Sequence, residues 1–218
     1  MENVRWSAGP DARAGTHLLM MLHGYGADET GMAELFPSLP AGVTGAALRG
    51  TFPVGDAHGW YLLDPSLRAD TAEVLEAATG LLARVDRIRA EGSFTGVSLL
   101  GFSQGMAMAV TLLRLRPAGF SAVVGLSGFV AENELLAMAE PLPEPVPFFW
   151  GRDRNDWVIN EDAILHTRNW LQENTSLTAR TYPGMGHSIG AEEARDVGIF
   201  LRRYVAPSAH EDAEYKAC

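Results

Sequence analysis

Short strand-like runs rich in apolar residues alternate along this chain with longer stretches in which apolar residues return every three or four positions. The short runs fall at 17–22, 45–48, 97–101, 122–126, 146–150 and 177–182, and they predict strands. Helical spacing is clearest at 70–90, where Val74, Leu75, Ala78, Leu81, Leu82, Val85 and Ile88 follow an i, i+3, i+4 pattern. Further helices are predicted at 28–35, 104–115 (closed by Pro117), 133–139, 161–173 and 191–205. Strands alternating with helices point to an α/β fold with a mostly parallel central sheet and helices on both faces. No internal repeat or low-complexity linker divides the chain, so residues 1–206 are expected to form one domain. Residues 207–218 are polar and patternless and are expected to be a disordered tail.

Composition narrows the partners. The chain has 218 residues, 47% of them hydrophobic, and a formal net charge of −10. An acidic chain with a single lysine, Lys216, and no basic run is repelled by nucleic acid and by anionic lipid surfaces. No run of 18 apolar residues occurs and the first residues do not resemble a signal peptide, so stable membrane insertion is not expected. The one cysteine, Cys218, cannot form an intrachain disulfide, which fits a cytoplasmic location.

Unusual residues gather in the loops after the predicted strands: His23-Gly24-Tyr25-Gly26 after the first, Ser103 after the third, Asp153 and Asp156 after the fifth, His187 after the sixth. In an open parallel sheet these loops share one edge, where sites form. Gly101-Phe102-Ser103-Gln104-Gly105 lies between a predicted strand and a predicted helix. That is the context of a nucleophile elbow, in which a strained turn lifts the serine hydroxyl off the sheet. A serine hydroxyl needs a base, and the base needs an orienting carboxylate. Of six histidines, His187 alone follows the last strand. For the acid, both Asp153 and Asp156 follow a strand and a glycine turn. Asp156 is favoured because Trp157-Val158-Ile159 offers an apolar stretch to bury it. The backbone N–H groups of Gln104 and Tyr25 are the expected oxyanion donors. No histidine–carboxylate spacing suits a metal, and no metal or organic cofactor is expected.

These motifs together resemble the phospholipase/carboxylesterase family of α/β-hydrolases, which includes acyl-protein thioesterases. The resemblance spans residues 16–205. It rests on the segment from His23 through Asp28, on Gly59-Trp60-Tyr61, the elbow, Leu126-Ser127-Gly128-Phe129, the loop from Gly151 to Asp156, and Gly186-His187-Ser188. It implies a single-domain α/β-hydrolase fold without a large lid, with Ser103 as nucleophile, Asp156 as acid and His187 as base. It also implies that Tyr25 and Gln104 hold the oxyanion, that His23 and Gly24 belong to the substrate loop, and that Trp60, Tyr61 and Phe129 line the acyl side. It leaves a homodimer open. The chain departs from the family pattern at Met106, where many members carry glycine, and in an arginine-rich aspartate loop. It departs again at Trp157, where proline is usual, and before residue 16, where an opening hairpin is expected to be reduced or absent.

The expected chemistry is hydrolysis of a small carboxylic ester, with short or medium acyl chains, through an acyl-enzyme. The same machinery would serve an acyl-thioesterase or a lysophospholipase. A non-catalytic ligand-binding protein of this fold is the remaining alternative. The segment 131–147 is too short for a lid domain, and its predicted helix either packs on the body or covers one side of a groove.

Overall fold

The computed structural model describes residues 3–138 and 140–206. Its centre is a seven-stranded sheet. In chain order the strands are β1 (Val4–Trp6), β2 (His17–Leu22), β3 (Val43–Leu48), then the small hairpin β4 (Phe52–Val54) and β5 (Ala57–Gly59), followed by β6 (Val97–Phe102), β7 (Val123–Leu126), β8 (Val146–Arg152) and β9 (Thr175–Thr181). The helices are α1 (Glu29–Ala33), α2 (Thr71–Glu91), α3 (Gln104–Leu115), α4 (Glu134–Ala137), α5 (Glu161–Asn174) and α6 (Ala191–Tyr204). All the predicted strands and helices are present, with ends shifted by at most two residues; position 139 and the expected tail lie outside the described residues.

The sheet runs β1-β3-β2-β6-β7-β8-β9, parallel throughout except for β1, which pairs antiparallel with β3. The opening of the chain is thus a single strand rather than a hairpin. Every residue of β2 and β3 is buried, the burial expected when helices cover both faces. Alternate side chains divide between the faces. Leu18, Met20, Leu22 and Leu99 join a core with residues of α2, α3 and α5, including Val85, Leu112 and Trp170. Leu19, Met21 and Leu100 join a second core with Met32 of α1 and Val197, Phe200 and Leu201 of α6.

After β2 the chain steps outward to β3, and it later returns to the other side of β2 as β6. The loops leaving β2 and β6 therefore diverge, opening a crevice at the carboxyl edge of the sheet. The hairpin β4–β5 braces this crevice: Gly26 N–H donates to the His58 carbonyl (2.9 Å) and His58 N–H to the Ala27 carbonyl (2.9 Å). Segment 131–147 is pinned to the body. Arg114 donates to the carbonyls of Ala131 (3.0 Å) and Asn133 (3.3 Å), and Asn174 Oδ1 accepts from Leu142 N–H (3.0 Å). In α4, Leu136 is buried while Leu135 and Met138 are exposed, so the helix packs on the body by one side only. Among the described residues no helix is long and apolar enough to cross a membrane.

Candidate active site

Ser103 sits between β6 and α3 with φ 53° and ψ −119°, a region that side chains rarely occupy. The turn is forced by close backbone approach. A Cβ at Gly101 would overlap the Gly105 carbonyl, and one at Gly105 would overlap the Leu22 carbonyl of β2. Only glycine fits either position, so helix α3 starts hard against two strands. Ser103 N–H donates to the Leu126 carbonyl at 2.9 Å, which ties the turn to the end of β7.

The loops after β8 and β9 bring a histidine and a carboxylate to this serine. His187 Nε2 lies 3.0 Å from Ser103 Oγ, and His187 Nδ1 lies 2.8 Å from Asp156 Oδ2. Asp156 Oδ1 accepts from the N–H groups of Val158 (2.9 Å) and Ile159 (3.3 Å). Burial pushes the Asp156 carboxyl upward, but the hydrogen bonds from His187 and these amides outweigh it and hold the group below the usual carboxylate range. An ionised Asp156 keeps the Nδ1 proton in place and leaves Nε2 to accept from the serine.

Asp153 takes a different part. Its Oδ1 accepts from Asn155 N–H (2.9 Å) and its Oδ2 from Gly186 N–H (2.7 Å), and these amides hold its pKa below the ordinary value. It fastens the aspartate loop to the residue before His187 without touching the imidazole. The apolar stretch expected to bury Asp156 divides. Ile159 is buried, whereas Trp157 is 79% exposed and Val158 is also exposed.

The loop after β2 reaches the same point. A Cβ at Gly24 would stand 3.3 Å from the Ser103 Cβ and 3.1 Å from the Phe102 ring. Gln104 is fully buried, and its side chain is committed: Oε1 accepts from Trp60 N–H (3.0 Å) and Nε2 donates to the Tyr61 carbonyl (2.8 Å). His23 is buried, with Nδ1 2.7 Å from the Gly24 carbonyl and Nε2 accepting from Gly50 N–H at 2.9 Å. Both ring nitrogens are therefore used to shape the loop, and burial lowers the pKa of the ring. The Trp60 indole N–H donates to the His23 carbonyl at 2.8 Å. The Tyr25 ring packs against Gly59. His58 and the hairpin that carries it did not emerge from strand periodicity; the local signal is the two-residue turn Gly55-Asp56 between its strands.

Tyr61 and Phe129 are almost fully buried, yet both touch a groove of about 720 Å³ that also meets Leu67, Leu135, Ala163 and His166. A charged cleft of about 880 Å³, bordered by Trp60, Arg49 and Glu73, also meets Tyr61. Ser103, Asp156 and His187 line neither of them. Among the described residues no cluster of three or more His, Cys, Asp or Glu could hold a metal.

Met106 is fully buried beside the elbow. Its side chain fills the space that a Cβ at Gly125 or Gly128 would need. The larger residue is thus accommodated by two small ones on the neighbouring strand and loop.

Known proteins share this architecture. Carboxylesterase SOBER1 of Arabidopsis thaliana is 28% identical over 182 residues, covering 80% of this chain and 78% of that protein. Acyl-protein thioesterase 1 of Kluyveromyces lactis is 24% identical over 213 residues, covering 88% and 93%. The crystal structure of a carboxylesterase from Mesorhizobium loti superposes with a TM-score of 0.76 at 22% identity, over 91% of this chain and 93% of that one, a likeness of fold. The phospholipase/carboxylesterase family model matches residues 9–205, through every loop that meets at Ser103, and the chain belongs to that family of hydrolases.

Proposed function

We propose that this protein cleaves small carboxylic esters, with short or medium acyl chains, through a covalent acyl-enzyme on Ser103. The supporting observation is the hydrogen-bonded sequence Ser103–His187–Asp156, with contacts of 3.0 and 2.8 Å, mounted on a strained strand-to-helix turn. His187 Nε2 takes the hydroxyl proton as Ser103 Oγ attacks the acyl carbonyl. Asp156 fixes the tautomer and stabilises the imidazolium. The backbone N–H groups of Gln104 and Tyr25 receive the oxyanion. The Gln104 N–H lies in the first turn of α3, where the helix dipole adds positive potential, and a donor of this kind contributes about 10²–10³ in turnover. His187 then protonates the leaving oxygen and afterwards activates the water that releases the acid.

Reaction with a fluorophosphonate, read by intact mass, tests the assignment. A single adduct on wild type and none on Ser103→Ala is expected; unlabelled, folded wild type would overturn it and promote the non-catalytic reading. A p-nitrophenyl ester series should peak well below sixteen carbons, and a peak at sixteen would overturn the short-acyl reading. The acyl-protein thioesterase named among its relatives supports thioester cleavage as a second reading, because the same three residues accept either leaving group.

A further inference from the structure

Trp157 is the largest exposed apolar side chain on the loop that carries Asp156. Its indole is 79% exposed, so most of the ring face is open to another molecule. Its placement is specific. The edge of the ring lies over Gly186, the residue before His187: a Cβ there would stand 2.6 and 2.7 Å from ring atoms Cζ3 and Cη2. Trp157 is thus adjacent in sequence to Asp156 and packed on the backbone neighbour of His187. Phe102 packs against the imidazole itself, with ring centroids 5.1 Å apart and planes inclined at 46°. Phe102 also borders Gly24 on the serine side.

The chemistry fixes which part of a substrate passes these rings. The leaving oxygen must come within hydrogen-bond reach of His187 Nε2, because that nitrogen returns the proton. The alcohol portion attached to that oxygen therefore lies on the His187 side of the scissile bond, the side whose loop carries the indole against Gly186. The oxyanion lies on the other side, towards Gln104 and Gly24.

Building on the Ser103 assignment, we propose that Trp157 is a specificity-determining residue for the leaving group, its exposed indole face receiving the aromatic or bulky apolar alcohol portion of the ester. The alcohol stacks on the ring while the carbonyl sits at Ser103. The preference acts on the alcohol and leaves acyl-chain selection unchanged.

Benzyl butyrate and methyl butyrate test this, because they share an acyl group and release alcohols of similar acidity. The comparison uses wild type, Trp157→Ala and Trp157→Phe. In Trp157→Ala the ratio of kcat/KM for benzyl over methyl butyrate should fall about fivefold to tenfold, as loss of an aromatic contact predicts. Trp157→Phe should retain most of the ratio. An equal fall on both esters would mean that Trp157 only supports the histidine loop, and an unchanged ratio that the indole meets no substrate; either overturns the proposal while leaving Ser103 as nucleophile. Wild type that cleaves neither ester and takes no fluorophosphonate would instead overturn the Ser103 reading, and this one with it.

Discussion

Around Ser103 the chain is held by close backbone approach, with Gly101 and Gly105 standing where any Cβ would overlap a carbonyl. Around His187 it is held by two buried aspartates that accept from backbone amides of both loops. The first half of the site has no room to adjust. The second is a set of hydrogen bonds spanning two loops, with an exposed indole at its rim. A strained serine needs a rigid mount, because the strain persists only where the surroundings over-determine it. His187 is placed by its hydrogen bond to Asp156 and by the neighbouring Gly186, whose N–H donates to Asp153, so its position depends on polar contacts between loops rather than on packed backbone.

Substitutions on the two sides should therefore fail differently. The largest effect is expected from Gly105→Ala. Its added methyl meets the Leu22 and His23 carbonyls rather than a flexible side chain. Stability should drop by about 3 kcal/mol or more, within the range for overpacking next to backbone. Chemical denaturation would show it, and a near-native midpoint would contradict the rigid picture. Asp153→Asn should instead spare the fold and damage turnover. A single amide oxygen cannot serve both Asn155 and Gly186, so one N–H faces another N–H. Misplacement of the histidine loop should lower kcat/KM by about 10- to 100-fold with only a modest change in Tm. Unchanged kinetics would show that the loop is held without Asp153.

The smallest expected effect concerns the backing of the His187 half. Glu193 of α6 is fully buried against Gly151 of β8, and among the described residues no side chain pairs with its carboxyl oxygens. Burial, reinforced by nearby Asp196 and opposed by the Gly190 backbone, pushes its pKa from 4.5 up to about 8. Below pH 4.5 the carboxyl is protonated whether the chain is folded or not. Between 4.5 and about 8 the unfolded chain releases the proton while the folded chain keeps it, so stability falls as pH rises. Glu193→Gln removes the titration. It should melt close to wild type at pH 5 and about 2–6 °C higher at pH 9, corresponding to about 1–2 kcal/mol. Parallel Tm–pH curves for the two proteins would mean that Glu193 is paired, and that this half is as firmly backed as the other.

Legibility in the sequence followed burial and length. Strands β2, β3, β6, β7 and β8 are covered on both faces and so are written as apolar runs. The three-residue strands β1, β4 and β5 are too short to show a period, and β4 contains Pro53. Ser103 and His187 stood out because the motif and the strand order specify their places. Asp153 and Asp156 were harder to separate because locally they are alike: each uses Oδ1 to accept from the residue two further on. Only the second oxygen differs, and it meets Gly186 in one case and His187 in the next. That choice is made by tertiary contact, thirty residues away in the chain, and no local pattern encodes it. The exposure of Trp157 was likewise invisible, since an apolar triplet does not reveal which of its members faces inward.

The interlock of Met106 with Gly125 and Gly128 has a consequence for how this chain can be altered. Positions 106 and 125 share one volume, so neither has a fixed tolerance of its own, whereas 128 is also closed by the Ser103 carbonyl. Shrinking residue 106 leaves a void costing about 24 cal/mol per Å³ that stays empty, while the same change beside an alanine at 125 fills it. A substitution library built one position at a time would record both partners as forbidden, and would miss a combination that restores close packing under Ser103.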